Sequence, residues 1–262
     1  VYSRAIQLDN DYHAAASNLG KALPLYQPKS YSSGLADLYL YLLGIRGLVS
    51  PQQLCPGIIN LLKINVDIVF ALTEYRKAPN ANYLIEKFPN VRQNPLLLKI
   101  MELCPITDLD IEELLKGFRR AFLLHSLDSK ENIETLHFQT ALASQCFINE
   151  YIYDTSAEEL EHLTILEEKL DLQFANGEDF CSQEIACLAS YKPLHLFKWS
   201  NSLKSNQELK GLFATQIKNV EYERDLSGKI SAIGQINDRV SQAVRDQYEA
   251  NPYPRWIATR LP

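Results

Sequence analysis

From Ser30 onward, apolar positions recur at helical spacing, and no alternating apolar and polar run is long enough to make a convincing strand. The pattern predicts an all-α fold. Residues 34–49 read as an apolar helix, and Pro56 stands where a first-turn proline would open another, running to about Tyr75. Asn80, Pro89 and Pro95 punctuate a region of short helices. Asp108 or Asp110 is placed to cap the clearest amphipathic helix, in which Ile111, Leu114, Leu115, Phe118, Phe122 and His125 share one face that must be packed. Residues 131–153 are apolar nearly all round, which marks a central helix buried on several sides. Thr155-Ser156-Ala157-Glu158 is a capping-box signature, opening a helix with Leu160, Leu163, Leu166 and Leu170 inside. Further helices fit 181–190, 206–222 and 236–250.

The first 23 residues carry the most specific pattern: Tyr2, Ala5, Ile6, Leu8 and Asp9, then Asp11-Tyr12, then Ala14 to Ala16, Asn18, Leu19, Gly20 and Leu23. This resembles the tetratricopeptide repeat. In that family a helix ending Tyr-x-x-Ala-Ile-x-Leu-Asp is followed by one bearing Asn-Leu-Gly, whose Gly allows close helix packing. Asn10 replaces the usual Pro at the turn. Since each repeat buries its apolar face only against neighbours, the resemblance implies further repeats before Val1. With neither an initiator Met nor a basic start followed by an apolar run, Val1 reads as an internal cut in a longer polypeptide. The repeat phase is lost at Pro24 and Pro28. The expected organisation is a repeat remnant over 1–30, a helical domain over 31–235, and a C-terminal helix with an extended linker over 236–262.

Charge removes one class of partner. The chain has 262 residues, a net charge of −6 and no Lys/Arg cluster longer than Arg119-Arg120, so it lacks the electrostatic footprint of a nucleic-acid binder. Five cysteines (Cys55, Cys104, Cys146, Cys181, Cys187) form no CxxC and sit among apolar neighbours, which suits buried core thiols in a reducing, cytoplasmic setting. The most apolar stretch, Ile58 to Leu72, is broken by Lys63, Asn65 and Asp67, and no membrane span is expected.

A second resemblance lies in two separated phrases, ALASQCFINEYIY (141–153) and VRDQYEANPYPRW (244–256). Both look like phrases of bacterial proteins that join tetratricopeptide repeats, a helical middle region and an S-adenosylmethionine-dependent methyltransferase domain, in the order found here. The resemblance implies S-adenosylmethionine as the cofactor of a catalytic domain beyond Pro262, and none in this chain. Such a cofactor site needs a strand and a Gly-rich turn, and no GxG occurs among the ten glycines. Other chemistry has less support. The five histidines form no HxxxH or HExxH, so zinc chemistry lacks a local basis. Cys146 and His137 are nine residues apart on one helix, about 13.5 Å along its axis, too far for a nucleophile and its base.

Three groups of residues remain as site candidates. Gln145, Asn149 and Glu150 are polar positions on an otherwise apolar helix. Two roles are open to them: fixing helix packing through hydrogen bonds, or lining a pocket or a contact with the catalytic domain. Asn18 occupies the repeat position that, in superhelices gripping extended peptides, presents an amide to peptide backbone; its other reading is an ordinary surface residue. Tyr253, Arg255 and Trp256 lie in a Pro-interrupted segment that cannot continue a helix, so it is either a docking strap or a linker. The expected function is the helical recognition and scaffold region of a repeat-containing methyltransferase, without the catalytic site. The alternatives are a non-enzymatic adaptor for a protein or peptide and, less favoured by the NPYPRW phrase, the helical arm of a repeat-containing glycosyltransferase.

Overall fold

The computed structural model describes residues 13–45, 47, 49–77, 81–126, 133–229 and 238–250. The fold is all-α: among these residues no strand occurs, and no single helix is long and apolar enough to cross a membrane. The chain divides between His125 and Ser126 into two compact units, a division that falls inside the 31–235 stretch.

The first unit contains α1 (His13–Ala22), α2 (Ser33–Gly44), α3 (Pro51–Leu62), α4 (Val66–Lys77), α5 (Ala81–Lys87), α6 (Pro89–Arg92), α7 (Pro95–Met101) and α8 (Leu109–His125). Prolines open three of these helices at their first position, where the missing N–H has no intrahelical partner to lose. The helix expected to begin at Pro56 begins instead at Pro51, and Pro56 lies inside it, where its ring gives up the bond to the Gln52 carbonyl. Nor does that helix run to Tyr75. Asn65 stops it and caps the next, accepting from the Asp67 and Ile68 amides at 3.0 and 3.2 Å. Likewise α2 ends at Gly44 rather than near residue 49. Asp108 is the cap of α8, accepting from Asp110 N and Ile111 N. The predicted face of α8 is buried from Ile111 to Phe122, with His125 half-buried.

Close approach sets the packing of this unit. Gly57 on α3 lies against the fully buried Tyr39 of α2, whose hydroxyl donates to the Leu23 carbonyl at 3.3 Å. A Cβ on Gly57 would fall on that hydroxyl and 3.1 Å from the Leu23 oxygen. Gly20, in the Asn-Leu-Gly phrase, also allows a close approach, but its partner is Val49 in the α2–α3 connection. An ion-pair network ties the α3–α4 connection and α4 to the start of α8 at the surface: Lys63 to Asp108 and Asp110, and Arg76 to Asp110 and Glu113. Hydrogen bonds from Lys63 and Arg76 hold the Asp110 carboxyl below the usual range.

The second unit contains α9 (Ile133–Ile148), α10 (Ala157–Asn176), α11 (Ser182–Ala189), α12 (Lys210–Phe213), α13 (Asn219–Ser227) and α14 (Arg239–Ala250). As the pattern predicts, α9 is buried on several sides, though it stops at Ile148. The capping box of α10 sits one residue later than expected: Ser156 accepts from Glu159 N, and the Glu159 carboxylate accepts from Ser156 N. That register puts Glu159, Leu163, Leu166 and Leu170 inside and leaves Leu160 54% exposed. Glu159 takes the inward place because Tyr191 Oη also donates to it, at 2.7 Å. The single helix expected over 206–222 is interrupted by a π turn, Ala214–Lys218. Of the five cysteines, Cys55 and Cys181 are half-buried rather than core residues.

Replacing Gly57 by Ala should destabilise the protein by about 1–3 kcal/mol, the range for overpacking, read as a lower urea midpoint at unchanged slope. Burial pushes the Tyr39 phenol up to about 12. The folded state therefore holds its proton more tightly than the unfolded one, and this contribution is complete below pH 10 and lost as pH rises toward 12. Tyr39→Phe should cost about 1 kcal/mol near pH 8 through the lost hydrogen bond. The gap between the two proteins should close as the pH of the urea titration is raised through that window.

Candidate functional site

Helix α9 is packed most extensively against α11, whose eight residues are all buried. A helix in that position has to satisfy its polar side chains internally. Gln139 does so by accepting from Gln183 Nε2 at 3.2 Å. A larger share falls to Gln216, fully buried on the π turn. Its amide nitrogen donates to the carbonyls of Ala143 and Ala189 at 3.1 and 3.2 Å, and its oxygen accepts from Leu194 N at 3.1 Å. One side chain thus joins α9, the end of α11 and the segment that follows it. π turns are rare and frequently mark functional positions.

The C-terminal end of α9 is built against the usual preference. Tyr151 N donates to Cys146 O at 2.8 Å and Glu150 N to Phe147 O at 3.3 Å, the paired bonds of a Schellman ending. The residue at the left-handed position is Glu150, and Tyr151 is left-handed too, each with φ of 56°. For residues with a side chain this conformation costs roughly 1–2 kcal/mol apiece. The same unit ends α10 with the same pair of bonds, Gly177 N to Phe174 O and Glu178 N to Gln173 O, and there the left-handed residue is Gly177. The double turn brings the Tyr151 hydroxyl to the Ala189 carbonyl at 3.2 Å, the acceptor already shared by Gln216.

Asn149 precedes this turn. It is 2% exposed, and neither atom of its amide has a hydrogen-bond partner. An unpartnered buried amide forfeits about 1–3 kcal/mol. Gln145, one turn earlier, is fully buried, and its backbone oxygen accepts from Asn149 N. Glu150 is half-buried. The three sequence candidates on this helix therefore stand together at one place: a buried polar centre ending in a strained turn.

Other candidates lie elsewhere. Asn18 is exposed on α1 of the first unit. That unit also holds an open cleft of about 570 Å³, lined by Leu23, Tyr26, Lys29, Ser32, Leu35 and Leu38 among others. Tyr253, Arg255 and Trp256 lie outside the described residues, as do Tyr2 to Tyr12 of the repeat phrase. His137 is exposed while Cys146 is fully buried, so the two occupy different surroundings. Among the described residues no group of three His, Cys, Asp or Glu side chains could hold a metal ion.

Sequence reading missed Gln216, which looks like an ordinary polar residue in ATQIK, because a π turn leaves no pattern at that length. It also missed the Lys169–Glu184 pair at 2.6 Å, in which Glu184 is 5% exposed and its Oε2 has no hydrogen-bond partner. A Glu on the all-buried stretch SQEIACLA was the available signal. Comparison of the chain with protein-family models, with curated proteins and with solved structures finds no match.

Replacing Glu150 by Gly should raise the unfolding free energy by about 1 kcal/mol, and Gly177→Glu should lower it by a similar amount. Urea unfolding of the two variants beside the parent chain checks both signs. Equal destabilisation by both would show that Glu150 is not strained.

Proposed function

We propose that the chain is the helical recognition and scaffold region of a tetratricopeptide-containing, S-adenosylmethionine-dependent methyltransferase of bacterial, cytoplasmic type, with the transfer chemistry in a separate catalytic domain of the parent protein. The observation that carries this is the position of the phrase 141–153. It forms the buried centre of the second unit and ends on Asn149-Glu150-Tyr151, where stability is given up within three consecutive residues. Such concentration is characteristic of segments held for a role outside the fold. The role assigned to Gln145, Asn149 and Glu150 is to keep this turn in shape for a contact with the catalytic domain. Tyr253, Arg255 and Trp256 are assigned to the strap leading to that domain.

A non-enzymatic adaptor is the second reading, supported by the exposure of Asn18 on α1 and by the open cleft in the same unit. In that reading α1 closes a peptide-binding repeat array and the Asn18 amide bonds extended peptide backbone.

The gene beyond Pro262 separates the two. A coding sequence for a strand, a Gly-rich turn and an acidic residue supports the methyltransferase reading, and an immediate stop codon sinks it. Calorimetric titration of the chain itself with S-adenosylmethionine should give no binding heat; micromolar affinity would overturn the assignment of the cofactor to another domain. Panning against a displayed peptide library tests the adaptor, which requires enriched peptides whose binding is lost in Asn18→Ala.

A further inference from the structure

Between Ile133 and Ser156 the chain has neither glycine nor proline, and its apolar positions stay helical through Tyr153, yet α9 ends at Ile148. No local signal stops it there. Glutamate is a good helix former, and isoleucine and tyrosine are tolerated in helices at modest cost. Glu150 and Tyr151 nevertheless both take φ of 56°, where a helix would place them at about −63°. Local preference and observed conformation disagree over the same few residues. We propose that the end of α9 is a conformational switch, in which this left-handed turn exchanges with one further helical turn running through Ile152.

The backbone bonds of the two forms use the same acceptors. In the turn, Cys146 O accepts from Tyr151 N and Phe147 O from Glu150 N. In a continuous helix the donors trade places, Glu150 N bonding Cys146 O and Tyr151 N bonding Phe147 O. Ile152 N, which makes no backbone bond to another described residue in the turn, gains Ile148 O. The Phe147 and Tyr151 rings, in edge contact with centroids 6.4 Å apart, are four residues apart and remain neighbours on a helix. The turn is held by the bond from Tyr151 Oη to Ala189 O at 3.2 Å. Breaking it orphans no acceptor, because Gln216 Nε2 also donates to that carbonyl. Asn149 adds no side-chain bond to either form, since neither atom of its buried amide is partnered. Ile152 is 61% exposed next to the turn, so extension of α9 re-aims an apolar side chain at the surface. The switch rests on the assignment of this turn to a contact with the catalytic domain, and it regulates that contact: docking selects the turn, and the helical form withdraws it.

The exchange is measured by NMR on the 262-residue chain alone. An NOE from Asn149 Hα to Ile152 HN reports the helical form, and strong intraresidue HN–Hα NOEs at Glu150 and Tyr151 report the left-handed one. Both sets should appear in the parent chain. Tyr151→Phe, which removes the bond to Ala189, should raise the helix-to-turn ratio about fivefold, the equivalent of one ordinary hydrogen bond. Glu150→Gly favours the left-handed form and disfavours the helix, and should lower the ratio roughly tenfold. Turn NOEs alone in both the parent and Tyr151→Phe would overturn the switch, as would a ratio that Glu150→Gly leaves unchanged. A stop codon directly after Pro262 would remove the catalytic domain as the selecting partner without altering these NOEs, so the switch and the methyltransferase assignment fail independently.

Discussion

A helix buried on most or all of its sides must find partners inside the protein for polar groups that a surface helix leaves to water; α9 is buried on several sides and α11 on all. Much of the second unit follows from this constraint. Gln216 serves three backbone groups on three segments from a π turn on which Gln216 and Ile217 are both buried. One extra residue advances the helix by about 100° of rotation, so the chain can switch faces without breaking its hydrogen bonding. Glu159 and Glu184 are held inside on the same principle, by Tyr191 and Lys169 respectively. Removing Lys169 would leave a buried carboxylate without its cation, a far larger loss than that of an exposed pair.

The first unit meets a different constraint. Several of its helices are four to seven residues long and cannot be stable by propensity, so they must be clamped by contact. Small residues supply the clamp. Gly57 admits the Tyr39 ring, and the tyrosine hydroxyl in turn satisfies the Leu23 carbonyl at the end of a short 3₁₀ turn. Gly117 does the same for Leu84 and Tyr75, seating α8 against α5 and α4. The surface network of Lys63, Arg76, Asp108, Asp110 and Glu113 is exposed enough that each pair adds little, and its contribution lies in fixing the register of α4 on α8.

What could be read from residues alone divides along the same line. The all-α class, the buried face of α8, the burial of α9 and the run of short helices punctuated at Pro89 and Pro95 were legible because each rests on a period or a breaker signal within one segment. Failures came where tertiary contact overrides the local signal. Pro56 looks like a start but lies within α3, because Pro51 opens that helix one and a half turns earlier. Leu160 has the better apolar credentials, yet Glu159 takes the inward place through a bond to Tyr191, 32 residues away. At the site, Gln145, Asn149 and Glu150 were identifiable as polar positions on an apolar helix. The left-handed turn was not, since the residue that normally announces it, glycine, is absent from 149–151.

That absence carries weight for the functional reading. The chain can end a helix by the same pair of bonds with glycine, and does so at Gly177. It can also satisfy a buried amide fully, and does so at Gln216. At Asn149-Glu150-Tyr151 it does neither, although glycine in place of Glu150 would relieve part of the strain and an apolar residue in place of Asn149 would remove the orphaned amide. One such departure is ordinary in a folded protein. Two kinds on three adjacent residues, each with a cheaper solution used elsewhere in the same unit, are hard to explain by folding alone. The stability forgone there is the strongest physical support for a contact made by this turn with something outside the unit.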